Sequence, residues 1–233
     1  MRLVHGTALA LAAAVIATSA IGAQQQAEAP DRKIAGGGIT APGWEGKIDA
    51  QAAKTGGTLK DSMFMAMGDM LHLTIGPAAS YWNPKYTAAG NFTAKATFTE
   101  AKQVNDHPHP FGLFIGGSKL GTPDAALMYC VAYRDGSFLV RRFNGEVATT
   151  VTRKTPHAAV KKAATAADSV TQEVGWVVTA DKAACVINGA EVISYPKSEI
   201  VGAGKLASTD GIVGIRTAHN LDLTITGFSI TKQ

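Results

Sequence analysis

From Phe92 to Thr99 the chain alternates without a break: Phe92, Ala94, Ala96 and Phe98 are apolar, and Thr93, Lys95, Thr97 and Thr99 are polar. A period of two over this length predicts a strand with one face buried and one wet. Leu71, Leu73 and Ile75 alternate with His72 and Thr74 in the same way, as do Leu221, Leu223 and Ile225 with Asp222, Thr224 and Thr226. Phe111–Ile115 and Met128–Tyr133 are apolar throughout, the pattern of strands covered on both faces. Trp176–Thr179 and Cys185–Ile187 complete the set. Turn signals fall between these runs: Asp135-Gly136 before Phe138–Phe143, Asn144-Gly145, Asn188-Gly189, and a bend at Ala180–Ala183. Short strands punctuated in this way predict an all-β, two-sheet antiparallel β-sandwich and exclude a βαβ architecture.

Two stretches depart from the pattern. Tyr81-Trp82-Asn83-Pro84-Lys85-Tyr86 holds a proline and non-alternating aromatics and is expected to be a loop. Thr155–Gln172 is rich in Ala and Lys with no apolar stripe, and is expected to be a long, mobile surface connection containing at most one helical turn.

The succession of segments carries a resemblance. "GDMLHLTIGPAASYW" (Gly68–Trp82) leads into "GNFTAKATF" (Gly90–Phe98) and "FGLFIGG" (Phe111–Gly117). The hairpin "YCVAYRDGSFLVRRFNGE" (Tyr129–Glu146), "VGWVVTADKAACVINGAEV" (Val174–Val192) and "DGIVGIRTAHNLDLTITGFSI" (Asp210–Ile230) follow. This order resembles the concanavalin A-like lectin/glucanase jelly roll, particularly the laminin-G-like secreted bacterial proteins grouped near the 3-keto-disaccharide hydrolase domain. It spans Trp44 to Ile230 and rests on strands and turns, not on a reactive motif. The resemblance implies a jelly roll in which the last strand returns beside Lys47–Asp49, with a bulge where Gly227 breaks its alternation. It also implies that the strands holding Cys130 and Cys185 lie in one meander. Three strand steps of 4.7–4.9 Å would separate the cysteines by about 14 Å, twice the reach of a disulfide, so two unpaired buried thiols are expected.

The first residues change the picture of where the chain works. Arg2, an apolar run over Ala8–Ile21 and small residues ending at Ala23 have the layout of a secretory signal peptide at 1–23, with Ala20 as an alternative cleavage point and a retained N-terminal anchor as the other reading. A secreted or periplasmic protein follows, with no later run apolar enough to span a membrane. Residues 24–43, rich in Gln, Ala, Gly and Pro, are expected to be a flexible linker, and 44–233 a single domain. The formal charge is +4, one unit of it from Arg2, and the basic residues are scattered, which excludes the dense basic face of a nucleic-acid partner.

Candidate chemistry is sparse. No Glu-x-Asp-x-x-Glu run provides a retaining-glycosidase pair, and no Gly-x-Ser-x-Gly elbow provides a serine nucleophile. Sugar recognition calls for aromatics to stack on a pyranose and polar groups to fix its hydroxyls. The candidates are Tyr81, Trp82, Asn83 and Tyr86, with Arg142 and His109. Arg142 shares a strand face with Phe138 and Val140, and Arg141 shares the other with Leu139 and Phe143. Asp49 and Asp222, on strands expected to be neighbours, are the candidates for a structural calcium; no other cofactor is implied. His107-Pro108-His109-Pro110 is expected to be an extended, proline-set corner whose two histidines point apart and do not share a metal ion, leaving His109 at the sandwich rim. A carbohydrate partner is the leading reading. A glycoside or 3-keto-glycoside hydrolase using carboxylate and His residues from separate strands is the alternative, and a structural cell-envelope protein the third.

Overall fold

The computed structural model describes residues 29–233, so the leader read at 1–23 lies outside it. The strands, in chain order, begin with β1 (Gly38–Ile39), β2 (Glu45–Ile48), β3 (Met63–Met67), β4 (Met70–Thr74) and β5 (Ala79–Ala88). They continue with β6 (Phe92–Glu100), β7 (Phe111–Ser118), β8 (Ala126–Ala132), β9 (Ser137–Asn144) and β10 (Ala148–Pro156). The last are β11 (Val170–Val178), β12 (Lys182–Ile187), β13 (Ala190–Pro196), β14 (Gly211–Thr217) and β15 (Asp222–Lys232). One sheet has eight strands in the order β1-β3-β4-β15-β6-β11-β12-β13, and the other seven in the order β10-β9-β8-β7-β14-β5-β2. No helix among the described residues is long and apolar enough to cross a membrane.

The alternation of β6 sends Phe92, Ala94, Ala96 and Phe98 into the space between the sheets. There they join Val174, Trp176 and Val178 of neighbouring β11, and from the facing sheet Phe111, Leu113 and Ile115 of β7 with Met128 and Cys130 of β8. Each fully buried phenylalanine contributes about 2–3 kcal/mol of transfer free energy. Trp176 crosses the layers, and its indole N–H donates to the Leu113 carbonyl at 3.1 Å. The runs that read as apolar on both faces do cover two layers. Phe114 of β7 and Leu127, Tyr129 and Val131 of β8 join Trp82, Leu139 and Phe143 in a second apolar cluster on the outer face of the seven-stranded sheet.

The Asp-Gly and Asn-Gly turns join β8 to β9, β9 to β10 and β12 to β13. At Asn188-Gly189 both residues have positive φ (51° and 83°), as a tight hairpin of this hand demands. Gly227, at φ 62°, sits in a register slip between Thr226 and Ser229: the expected bulge.

Four expectations are corrected. Tyr81–Tyr86 lies in β5, not in a loop: Tyr81 faces the core and Trp82 the outer cluster, so both faces are covered and no alternation shows. The closing strand β15 pairs with β4 and β6, while Lys47 of β2 pairs with β5 in the other sheet. Cys130 of β8 and Cys185 of β12 are in opposite sheets and form a disulfide, with Cα atoms 6.2 Å apart. The error lay in running β8, β9, β11 and β12 as one meander; the chain changes sheets between β10 and β11, which sets the two cysteines face to face.

The fourth correction concerns the connection after β10, which is held on all sides. The Arg134 guanidinium donates to the Thr165 and Asp168 carbonyls. Asn188 donates to the Ala159 carbonyl at 2.7 Å, and Gln172 to that of Lys161 at 2.7 Å. The start of the described residues is fastened too. Arg32 donates to the carbonyls of Ile75 and Leu221, and its backbone N–H bonds the Asn220 side chain at 2.8 Å.

Candidate functional site

The outer face of the seven-stranded sheet is built by the odd members of β8 and β9. Tyr129 and Val131 stand beside Arg141 and Leu139, their antiparallel partners. A cleft of 830 Å³ opens over them. Its floor is Tyr129, Val131 and Leu139, all nearly inaccessible to solvent. One end is edged by Tyr133, Arg141 and Lys154, with the Lys154 ammonium 4.2 Å from the centre of the Tyr133 ring and 2.6 Å from Asp135. The other end is edged by Asp31, His107, His109 and His219.

Between them lies Arg216 of β14. Its guanidinium grips Asp49 with both terminal nitrogens, one of them at 2.6 Å, and lies 5.1 Å from the Tyr129 ring centre and 5.2 Å from that of Phe143. Burial alone would lower its pKa, but the Asp49 carboxylate and the Tyr129 hydroxyl together outweigh burial and raise it. The cation is therefore permanent, and Arg216 is opposite Gly112 in the ladder with β7.

The three histidines are brought together by strand pairing. Phe111 of β7 is opposite Thr217 of β14, and the Ala218 N–H donates to the Pro110 carbonyl at 2.9 Å. One step beyond, His109 faces His219, with ring centres 4.1 Å apart. His107 joins from the same loop, 4.4 Å from His109 between ring centres, and the three offer ligand atoms all within 4.8 Å of one another. The expectation that His107 and His109 diverge is thereby overturned. They are two positions apart, and in an extended chain such residues share a face. Burial, followed by the neighbouring His219 and His107, lowers the His109 pKa to about 3, so this imidazole is neutral. Asp31 bonds His219 Nδ1 at 2.8 Å, and Asp106 bonds His107 Nδ1 at 2.8 Å. Asn105 meets His109 Nε2 at 3.3 Å.

No protein-family model matches the chain, and no curated protein matches it in sequence. Solved structures do match in shape. A carbohydrate binding module, CBM66, from Bacillus subtilis superposes with a TM-score of 0.54 at 8% identity, over 84% of this chain and 99% of that one. A Bacillus subtilis protein of unknown function with a galectin-like fold gives 0.55 at 13% identity, over 81% of this chain and 89% of that one. The fold is a concanavalin A-like jelly roll.

Of the candidate residues singled out in the sequence, this jelly roll brings His109 and Asp49 to the cleft. Tyr81 is in the core, its hydroxyl pushed up to about 12 by burial. The Trp82 indole donates to Glu45 at 3.0 Å, and Asn83 is buried against the Pro42 carbonyl. Tyr86 packs with Trp44 and Phe228. Arg142 takes the opposite face of β9 from Arg141, as alternation requires. Asp49 and Asp222 are not neighbours: Asp49 belongs to Arg216, and Asp222 lies 3.3 Å from His72 in the other sheet. Arg141, Tyr129 and His219, which also line the cleft, were not among the sequence candidates. The signal for Arg141 was its shared face with Leu139 and Phe143, and for His219 its place just beyond a strand that pairs with the one following His109.

Proposed function

We propose that the chain is an exported carbohydrate-recognising β-sandwich that takes its glycan in the cleft over β8 and β9. The observation that carries this reading is the composition of the cleft. A rigid floor of Tyr129, Val131 and Leu139 is bordered by Arg141, Lys154, Asp31 and the histidines, an apolar surface for sugar C–H faces with donors and acceptors for hydroxyls at its edge. At 830 Å³ it falls within the range of small-ligand sites. The carbohydrate binding module from Bacillus subtilis supports the reading through its fold. Export is supported by the leader pattern at 1–23 and by the disulfide, a bond that persists in oxidising compartments.

Binding is favoured over carboxylate-based hydrolysis of a glycoside or 3-keto-glycoside because Asp31 and Asp49, the carboxylates lining the cleft, are engaged by His219 and Arg216. Screening the protein on a glycan array, followed by calorimetry on the best binder, tests this. Arg141→Ala, which removes a charged donor from an exposed edge position, is expected to weaken binding about tenfold without releasing reducing sugar. Turnover abolished by Asp31→Asn or Asp49→Asn would replace binding by hydrolysis, and retention of full affinity in Arg141→Ala would place the ligand elsewhere.

A further inference from the structure

We infer that His107, His109 and His219 form a binding site for a divalent transition-metal ion, zinc foremost, at the histidine end of the cleft. Their ligand atoms lie within 4.8 Å of one another. A four-coordinate zinc with bonds of 2.0–2.1 Å needs its nitrogens about 3.4 Å apart, so the rings draw closer as the ion binds, and the His107–Asp106 pair, which reaches solvent at the rim, is the side of the cluster that can move. Three imidazoles from two loops make a donor set suited to zinc, copper or nickel, and disfavour calcium and magnesium, which take oxygen ligands.

The surroundings of the rings point the same way. Metal-bound histidines ordinarily donate their other ring N–H to a carboxylate, a carbonyl or water, which fixes tautomer and ring plane. Two of the three rings have such a partner: Asp106 on His107 Nδ1 and Asp31 on His219 Nδ1. Asp31 comes from a segment fastened by Arg32, so the part of the chain preceding the sandwich completes the site. Packing of two buried histidines against each other would not by itself call for a third histidine with a carboxylate of its own. With three protein ligands, the fourth position of a tetrahedral ion goes to water or to a ligand oxygen from the cleft. The metal site stands independently of the glycan reading.

The test uses full-length protein stripped with a chelator and titrated with Zn²⁺ alone, read by calorimetry and by metal content after dialysis. One zinc per chain, with micromolar or tighter affinity, is expected. Asp31→Asn and Asp106→Asn, which remove only the carboxylate partners, should weaken it by about 10–100-fold. His107→Ala should weaken it further, and His72→Ala, on β4 of the other sheet, should leave it unchanged. Co²⁺ in place of zinc should give the intense visible bands of a low-coordinate nitrogen site, an independent readout needing no variant. Failure to retain zinc, affinity unchanged in His107→Ala and both Asp variants, or only the weak bands of octahedral Co²⁺ would each overturn the assignment.

Discussion

Replacing Cys130 and Cys185 together by alanine removes the one disulfide cross-link between the sheets among the described residues. The bridge closes a loop with a sequence separation of 55 residues, for which the chain-entropy relation gives about 4 kcal/mol of stabilisation. In a domain of about 200 residues each kcal/mol moves the melting temperature by about 2–4 °C, so the double variant should melt about 8–16 °C lower. Both Sγ atoms are in the buried core, so little of the loss can be offset by solvent. The assay is thermal unfolding by circular dichroism, paired with urea denaturation, in which a less restricted unfolded chain should also raise the slope. A thiol titration of unfolded, unreduced wild type should find no free thiol. If the double variant melted within about 3 °C of wild type, the bridge would not be holding the sheets as described.

Asp49→Ala strands the Arg216 cation over Tyr129 and Phe143; because Asp49 is partly exposed the expected cost is about 2–4 kcal/mol, somewhat below that of a fully buried pair, measured by urea denaturation. Gly214→Ala places a Cβ 2.4 Å from both the Tyr81 carbonyl oxygen and the Phe114 ring, and should destabilise by about 1–3 kcal/mol or more in the same assay. Burial raises the Glu100 carboxyl from 4.5 to about 7, with Arg134 opposing the rise. The folded state then holds this proton more tightly than the unfolded one, so the contribution to stability is complete below pH 4.5 and is lost as pH rises through 7. Glu100→Gln should flatten that decline by about 2–3 kcal/mol, the linkage that a shift of this size carries; denaturation curves for the two proteins that stay parallel from pH 4.5 to 8 would contradict it.

Strands with one wet face were legible because alternation survives in them, as β6 and β15 show. β5 was not, because Tyr81 and Trp82 are buried on opposite faces and alternation carries no contrast there. Sheet membership was invisible for a related reason: hairpin turns reveal which strands follow one another, but not where the chain crosses between layers, and the disulfide depended on that crossing. The histidine cluster needed one more piece of long-range information. His109 and His219 each lie two residues outside a strand, and only the pairing of β7 with β14 brings them together. His107 could have been placed beside His109 from the sequence alone by giving the extended segment its correct period of two.

The cleft is the centre of the functional reading, and a crystal structure of the protein bound to its best array glycan tests it most directly. A sugar ring over Tyr129 and Leu139, with hydroxyls within hydrogen-bond distance of Arg141, is the predicted result. A glycan seated on the eight-stranded sheet, or on the loops away from β8 and β9, would contradict it.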